Sequence, residues 1–478
     1  MNNTKLKNLA ELFKKHAPLY AVGGCVRDYI LGIPSGDIDI SSSIPANKVR
    51  DILKDSPFTV QEKDLRMGTI IITCYGFKAE YTTFRTDSYT EGKGTHRPES
   101  VTFTEDMKED ALRRDFACNA LYYDILKDEV VDLVGGKEDI EKKIIRCVTD
   151  PRVVFEADGL RILRMARFAA ELGFDMDKET YEIAKENVWR IKDLSVERIL
   201  VELDKIFVAD TAHGRKFEQD GLISAYAGDG LDGSKGVEGK DENDIFGNAH
   251  LRGLRILDDI GALDIILPEL TEMKGLEQSS KWHLYDAYEH SLQAFRVSTP
   301  DIRWAALLHD IGKKKSQEAI GKMYLHASMG ADMAQDICTR LKFPKIRTRE
   351  ICALVRSHMY DLDGNTGEGK LKWFIAERAK IMPQLLKLRA ADAFASQKVR
   401  PESRMEKVFE EMQEKGVPMS IKDLKVNGRD LVDMNYPECE RGIALYELWK
   451  DTVMNESLND REKALEYLKK KIEREDKN

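Results

Sequence analysis

The sequence predicts an α+β protein, with an α/β head over the first 145 residues followed by an all-α remainder. Three observations carry this. Residues 68–74 and 78–84 are β-rich runs separated by Tyr75-Gly76-Phe77, which reads as a hairpin. From about Pro151 the apolar residues recur at helical spacing, and strand-like stretches almost vanish. The chain has 478 residues, which at roughly 100–200 residues per domain leaves room for two to four domains. The expected organisation is a head at 1–145, a helical neck and body at 146–275, a second all-α domain at 276–400 and a helical tail at 401–478. Within the body, residues 225–248 are rich in Gly and Asp with little to bury, the composition of a flexible insertion.

Composition excludes several classes. With 42% hydrophobic and 33% charged residues, and no apolar run near the roughly 20 residues a membrane span needs, no membrane partner is expected. Residues 1–21 carry lysines without a continuous apolar core, so they read as the first helix of a domain and not as a signal peptide, and the expected compartment is the cytoplasm. Seven scattered cysteines without a C-x-x-C pair argue against a disulfide framework and a zinc finger, and are expected as buried thiols. A formal charge of -9 counts against a nucleic-acid partner. Its distribution does not, because Arg113-Arg114, Arg161/Arg164/Arg167 and Lys313-Lys314-Lys315 are local basic clusters able to face RNA. Nothing in the sequence indicates an oligomeric state.

Taken in order, Tyr20-Ala21-Val22 is a short apolar strand, Gly23-Gly24 a turn, and Cys25 onward a helix. Glycines let backbone N–H groups approach a polyphosphate, and the helix N-terminus they open carries partial positive charge. Arg27 adds a formal charge to that cradle. In Asp37-Ile38-Asp39-Ile40 a strand period of two would put both carboxylates on one face. Paired carboxylates beside a phosphate cradle suit Mg²⁺, which takes carboxylate and phosphate oxygens. Glu80, in the second β-rich run, is a candidate third carboxylate, with a solvated strand position as the alternative.

These residues resemble the class II nucleotidyltransferases, the family of CCA-adding tRNA nucleotidyltransferases and bacterial poly(A) polymerases. The resemblance covers about the first 175 residues. Gly23-Gly24-x-Val26-Arg27-Asp28 and Asp37-x-Asp39 are similar to its catalytic motif, which implies nucleotide-binding roles for Gly24 and Arg27 and metal-binding roles for the aspartates. Asp110-x-x-Arg113-Arg114-Asp115-Phe116-x-x-Asn119 is similar to the second motif, which implies that Arg114 contacts the nucleotide. Asp158-x-x-Arg161-Ile162-Leu163-Arg164-x-x-Arg167 resembles its base-reading helix. The spacing predicts one helix opened by Asp150-Pro151 that carries Asp158, Arg161, Arg164 and Arg167 at intervals of three. A carboxylate accepts from the exocyclic amine of cytosine or adenine and a guanidinium donates to ring acceptors, whereas uracil and guanine would leave buried groups unpaired. Such mismatches can be worth about 10⁴–10⁵ in selectivity. Many family members have Glu immediately before this aspartate; here Ala157 stands there, which leaves open what holds Asp158.

The second constellation is histidine-rich, with five of the nine histidines between His283 and His358. His290, His309-Asp310, His326, His358 and Asp392 combine imidazole and carboxylate, a set that suits Mn, Fe, Co, Ni or Zn. A metal held there would hydrolyse a phosphate ester. His309-Asp310 at the end of an apolar helix resembles the HD phosphohydrolase superfamily, which implies ligand positions for His290, His309, Asp310 and Asp392 and second-metal positions for His326 and His358. Together the resemblances imply Mg²⁺-dependent addition of C, C and A from CTP and ATP to the tRNA 3′ end, with a fused domain hydrolysing phosphate or 2′,3′-cyclic phosphate ends. Three alternatives stay open: a poly(A) polymerase or a C-only or A-only enzyme, an HD hydrolase with a non-catalytic tRNA-binding head, and an HD domain that is only a scaffold.

Overall fold

The computed structural model describes residues 3–88, 100–214, 248–279, 283–397 and 403–475, so the expected insertion, apart from Asn248, lies outside the described residues. Two compact units emerge. The first runs through Thr271 and includes 340–342; the second holds the remaining residues from Glu272 onward.

In the first unit the opening helix, Thr4–Phe13, is capped by Asn3, whose side chain accepts the backbone N–H of Lys5 and Leu6. Its Leu6, Leu9, Ala10 and Phe13 are buried, one stripe at helical spacing, and the Phe13 ring lies 5.7 Å from Tyr81 of the sheet. The strands are β1 (Tyr20–Val22), β2 (Asp39–Ser42), β3 (Thr59–Asp64), β4 (Thr69–Cys74), β5 (Phe77–Thr83), β6 (Arg85–Ser88), β7 (Ser100–Phe103), β8 (Tyr122–Asp124) and β9 (Glu129–Val131). One seven-stranded sheet has the order β3-β4-β5-β2-β1-β8-β9, and β6 pairs with β7 separately. The expected hairpin is β4–β5, with its turn tighter than the sequence suggested: Cys74 pairs with Phe77, leaving a two-residue loop. Tyr75 and Gly76 both have positive φ, 40° and 78°, as a type I′ turn demands.

The pair β2–β5 is parallel, with Asp39 directly beside Glu80, while β1–β2 is antiparallel. Every second residue of β5, from Phe77 through Ala79 and Tyr81 to Thr83, is buried, so Glu80 points to the opposite face with Asp39 as its neighbour. Asp37 corrects one expectation. The strand begins only at Asp39, and although the Ile38 carbonyl already accepts the Glu80 N–H at 2.9 Å, Asp37 sits outside the ladder on the loop that follows Pro34-Ser35-Gly36.

The body is helical. Ten of the 13 residues of the helix Leu160–Leu172 are buried, and it packs against Val196–Phe207 and Ala249–Asp259. Gly253 permits that crossing, since a Cβ there would lie 2.6 Å from Ile206. The expected single base-reading helix is instead two, Pro151–Ala157 and Leu160–Leu172. The break has a local cause: Asp158 turns to extended backbone (φ -152°, ψ 109°), its side chain accepts the Leu160 N–H at 3.0 Å, and Gly159 packs where a Cβ would meet Arg190 at 3.0 Å.

The second unit is all helical among its described residues. One continuous core joins Ile302, Leu371 and Leu388 to Phe409, Leu448 and Leu468. The Lys/Glu-rich end after Leu458, whose composition reads as a solvated helix, forms the helix Arg461–Glu475 and buries Ala464 and Leu468 on one face. Five cysteines are buried as expected, but Cys352 is half-buried and Cys439 exposed; all seven are free thiols. No helix among the described residues is long and apolar enough to cross a membrane.

Candidate functional site

A cavity of about 870 Å³ in the first unit gathers most of the residues singled out from the sequence: Gly24, Arg27, Asp37, Asp39, Arg114 and Asp158, together with Arg161, Arg164 and Arg167. Gly23, with φ 82°, takes a backbone conformation that side chains rarely adopt, and it opens the helix Gly24–Leu31 toward the cavity. Arg27 is buried and fixed by Nε to Asp28 at 2.8 Å and by Nη1 to Asn119 at 2.6 Å. Arg27, Arg164 and Arg167 surround one ring, Phe168, at 5.4, 5.1 and 4.3 Å from its centroid. Arg164 donates from Nε to Asp115 at 2.7 Å, and the buried Arg167 lies 3.0 Å from Glu202.

Arg114 is positioned from behind. Its Nη2 donates to the buried Asp110 at 3.1 Å, Arg113 Nε donates to the same carboxylate at 2.8 Å, and the Tyr122 hydroxyl donates at 2.5 Å. Burial would raise Asp110, but the Arg114 and Arg113 charges outweigh it and bring the carboxyl down to about 2. A carboxyl depressed on folding contributes stability that is full above its unfolded value near 3.8 and fades as pH falls through about 2. The contribution is about 2 kcal/mol. In urea titrations the stability gap between wild type and Asp110→Asn should therefore be widest at neutral pH and narrow by about that amount between roughly pH 5 and pH 2; a pH-independent gap contradicts this account.

The acidic side of the cavity carries the candidate metal ligands. Asp37 and Asp39 keep exposed surface. Desolvation raises the Asp39 carboxyl, the Glu80 and Asp37 charges raise it further, and Arg114 and Lys63 oppose them. Crowded carboxylates of this kind fit a divalent cation, which relieves their mutual repulsion. Glu80 adjoins Asp39 in register but does not line the cavity, and its carboxylate takes Lys63 at 2.5 Å.

The Asp158 carboxylate accepts from Arg198 at 2.8 Å, while Arg161 donates to the backbone carbonyls of Arg113 at 2.6 Å and Val154 at 3.3 Å. The arginines of both clusters thus line the cavity, held by internal carboxylates and carbonyls. Asn119, Asp115, Arg198 and His213 also line it. His213 Nδ1 lies 3.4 Å from the Pro34 carbonyl and 3.9 Å from Asp28, beside the loop that carries Asp37. Only Asp115 and Asn119 lay within a recognisable motif; Arg198 and His213 carry no local signal.

In the second unit all six predicted ligands converge. His290 Nε2 lies 3.2 Å from Asp310 Oδ2 and 3.0 Å from Asp392 Oδ1, and His309 Nε2 lies 3.1 and 3.5 Å from the same atoms. The other Asp310 oxygen, Oδ1, lies 3.2 Å from His326 Nε2 and 3.7 Å from His358 Nε2. For His309, His326 and His358, Nδ1 faces the carbonyl three residues earlier, at 2.7, 2.5 and 2.6 Å. That contact turns each Nε2 toward the cluster, the usual support of a metal-binding imidazole. Two glycines make the convergence possible. A Cβ on Gly312 would lie 2.3 Å from the His326 carbonyl and 2.5 Å from the Gly330 nitrogen, so only glycine lets the His326–Arg340 helix approach Asp310 this closely.

The cluster favours positive charge at its centre. Burial opposes a charged His309, yet Asp310 and Asp392 raise it to about 10, and both carboxyls are held well below their ordinary range by the imidazoles around them, with Lys313 adding to the effect on Asp310. Divalent cations supply the same polarity. Lys313, expected in a basic patch facing RNA, is instead buried and donates to Asp310 and Gln278.

Residues 19–146 match the Poly A polymerase head domain, 173–223 the probable RNA and SrmB-binding site of polymerase A, and 287–396 the HD domain. The head is thus similar to the Poly A polymerase head domain, and the second unit carries a match to the HD domain. Both families generally use divalent metals. The chain is 41% identical over 187 residues to the CCA-adding enzyme of Bacillus pumilus (strain SAFR-032), covering 39% of this chain and 45% of that one. It is 42% identical over 208 residues to the CCA-adding enzyme of Limosilactobacillus fermentum, covering 43% and 48%. These alignments span about half the length of the relatives. In fold, the Bacillus stearothermophilus CCA-adding enzyme in complex with CTP matches with a TM-score of 0.64 at 23% identity, over 99% of this chain and 98% of that chain. The Thermotoga maritima CCA-adding enzyme complexed with tRNA_CCA matches with a TM-score of 0.52 at 18% identity, over 98% and 96%.

Proposed function

We propose that the head and body form a CCA-adding tRNA nucleotidyltransferase that adds C, C and A from CTP and ATP to the tRNA 3′ end in the cytoplasm. The observation that carries this reading is the meeting, in one cavity, of the Gly23-Gly24 helix start, the Asp37/Asp39 pair and the Asp158 carboxylate. Gly24 amides, Arg27 and Arg114 hold the triphosphate, and Arg164 and Arg167 add positive charge near it. Asp37 and Asp39, with Glu80 once released from Lys63, would hold Mg²⁺, which would lower the pKa of the RNA 3′-hydroxyl and stabilise departing pyrophosphate. Asp158 turns its carboxylate to the base. Because the arginines are braced by carboxylates before substrate arrives, little reorganisation is needed on binding.

The test is incorporation from CTP and ATP into tRNA transcripts ending at the discriminator base, in CC and in CCA. The expected result is two C and one A on the first, A alone on the second and nothing on the third. Incorporation of ATP alone, running far beyond one residue, would instead make this a poly(A) polymerase.

A second activity is proposed for the HD site. Asp310, with one oxygen toward His290, His309 and Asp392 and the other toward His326 and His358, would with these residues hold divalent transition-metal ions, which would supply a Lewis acid and an activated water for hydrolysis of phosphate or 2′,3′-cyclic phosphate ends.

A further inference from the structure

We infer that Arg389 is the anion anchor of the HD site and grips the phosphoryl group of the substrate beside the histidine-aspartate cluster, an assignment that rests on the phosphohydrolase reading and deepens it. A cavity of about 1040 Å³ in the second unit opens onto Asp310, His326 and Asp392, and Arg389 forms part of its wall. On the helix Met382–Gln397 it stands three residues before Asp392, so the two side chains are neighbours on one face. Its tip is fixed elsewhere. Arg389 Nη1 donates to the carbonyl of Tyr360, two residues beyond His358, and the Tyr360 ring is itself stacked on Phe374 at 3.7 Å. The guanidinium is thus rooted beside a ligand on one side of Asp310 and tied to the segment that carries a ligand on the other.

Charge pairing separates Arg389 from the other basic residues of this wall. Lys313 donates to Asp310, Arg356 to Asp332 at 2.7 Å and Arg404 to Asp361 at 3.2 Å. Among the described lysines and arginines that line the cavity, Arg389 alone has no carboxylate within ion-pair distance; its further contact, also from Nη1, is the weak acceptor Met405 Sδ at 3.9 Å. Burial lowers the guanidinium from its ordinary value, and the charges of Asp392 and Asp361 oppose that. Both carboxylates are already engaged, the first by His290 and His309, the second by Arg404 and the Thr366 N–H. A partly buried cation without a counter-ion is costly. The Nε and Nη2 edge left over carries two parallel N–H groups, the fork that matches two oxygens of a phosphate. An anchor so placed holds a phosphate ester against the cluster without being a metal ligand itself.

The experiment uses the full chain loaded with Mn²⁺ and compares wild type with Arg389→Ala, Arg389→Gln and Arg389→Lys in metal content, calorimetric binding of inorganic phosphate and turnover of 2′,3′-cyclic AMP. Arg389→Ala should weaken phosphate binding roughly 10–100-fold, the worth of a charge-assisted bond, and raise KM for the cyclic nucleotide in parallel, with kcat falling less. Metal content should stay at the wild-type value. Arg389→Lys keeps the charge but loses the fork, so it should recover part of the affinity. If Arg389→Ala fails to fold, as judged by circular dichroism, Arg389→Gln carries the test, with the same loss expected. Wild-type phosphate affinity and KM in a folded alanine or glutamine variant overturn the assignment. Loss of metal in that variant also overturns it, because the arginine would then be a brace for Asp392. A wild type that turns over no cyclic phosphate overturns the hydrolase reading alone if phosphate still binds through Arg389, and both readings if it does not.

Discussion

Replacing Asp37 and Asp39 by alanine should lower CTP and ATP incorporation by on the order of 10³-fold or more. A catalytic divalent ion supplies several kcal/mol of charge stabilisation, at about 1.36 kcal/mol per decade of rate. The loss should fall on kcat, because Gly24, Arg27 and Arg114 still hold the triphosphate. Folding should be spared: both carboxylates keep exposed surface, and Asp39, at the start of β2, bears no part of the core. Hydrolysis at the HD site should continue unchanged, since its ligands all lie in the other unit. Incorporation surviving in the double variant would make the head a tRNA-binding module and leave the HD domain as the working enzyme.

The second large effect is expected at the HD cluster. Asp310→Ala should lose both metals, but it also strands the buried Lys313, and breaking a buried pair in this way costs about 3–5 kcal/mol. His326→Ala is the cleaner variant. It removes a ligand from one side of Asp310 and leaves His290, His309 and Asp392 on the other, so metal analysis should fall from two equivalents to one. Turnover of a 2′,3′-cyclic nucleotide should drop about 10²–10³-fold, the worth of a lost Lewis acid, and chelation of the wild type should do the same until Mn²⁺ or Ni²⁺ is restored. A chain that binds no transition metal and turns over no cyclic phosphate would reduce the HD domain to a scaffold.

Much of both sites was legible because their chemistry demands particular residue types at short spacing. A phosphate cradle needs Gly23-Gly24 and a following arginine; a metal pair needs Asp-x-Asp; His309-Asp310 announces its partners. The structure brings the first two together in the first unit and the histidine-aspartate set together in the second. What escaped was either too local or too distant. Asp158, Arg161, Arg164 and Arg167 fall three apart, which mimics one helix, but Asp followed by Gly is also a helix start, and the side-chain bond from Asp158 to the Leu160 N–H is the interaction that decides. Asp37 escaped because residue alternation does not say where a ladder begins. Arg198 and His213 reach the cavity from 40 and 185 positions beyond Asp158 and Asp28 respectively, through helix packing that no short pattern encodes. The bracing of the arginine clusters stayed hidden for a related reason: sequence shows the arginines but not the carboxylates folded behind them.

The close contact at Gly312 bears on how relatives of this chain are sorted into living and dead enzymes. Gly312 offers no side chain to ligate a metal, yet the backbone of His326 and Gly330 occupies the space a side chain would need. A homologue could therefore retain every histidine and aspartate of the cluster, exchange this one glycine for alanine, and lose half of its metal centre. Vestigial HD domains are thus to be recognised by their glycines as much as by their ligands, and a census of metal-binding residues alone will count some pseudoenzymes as active.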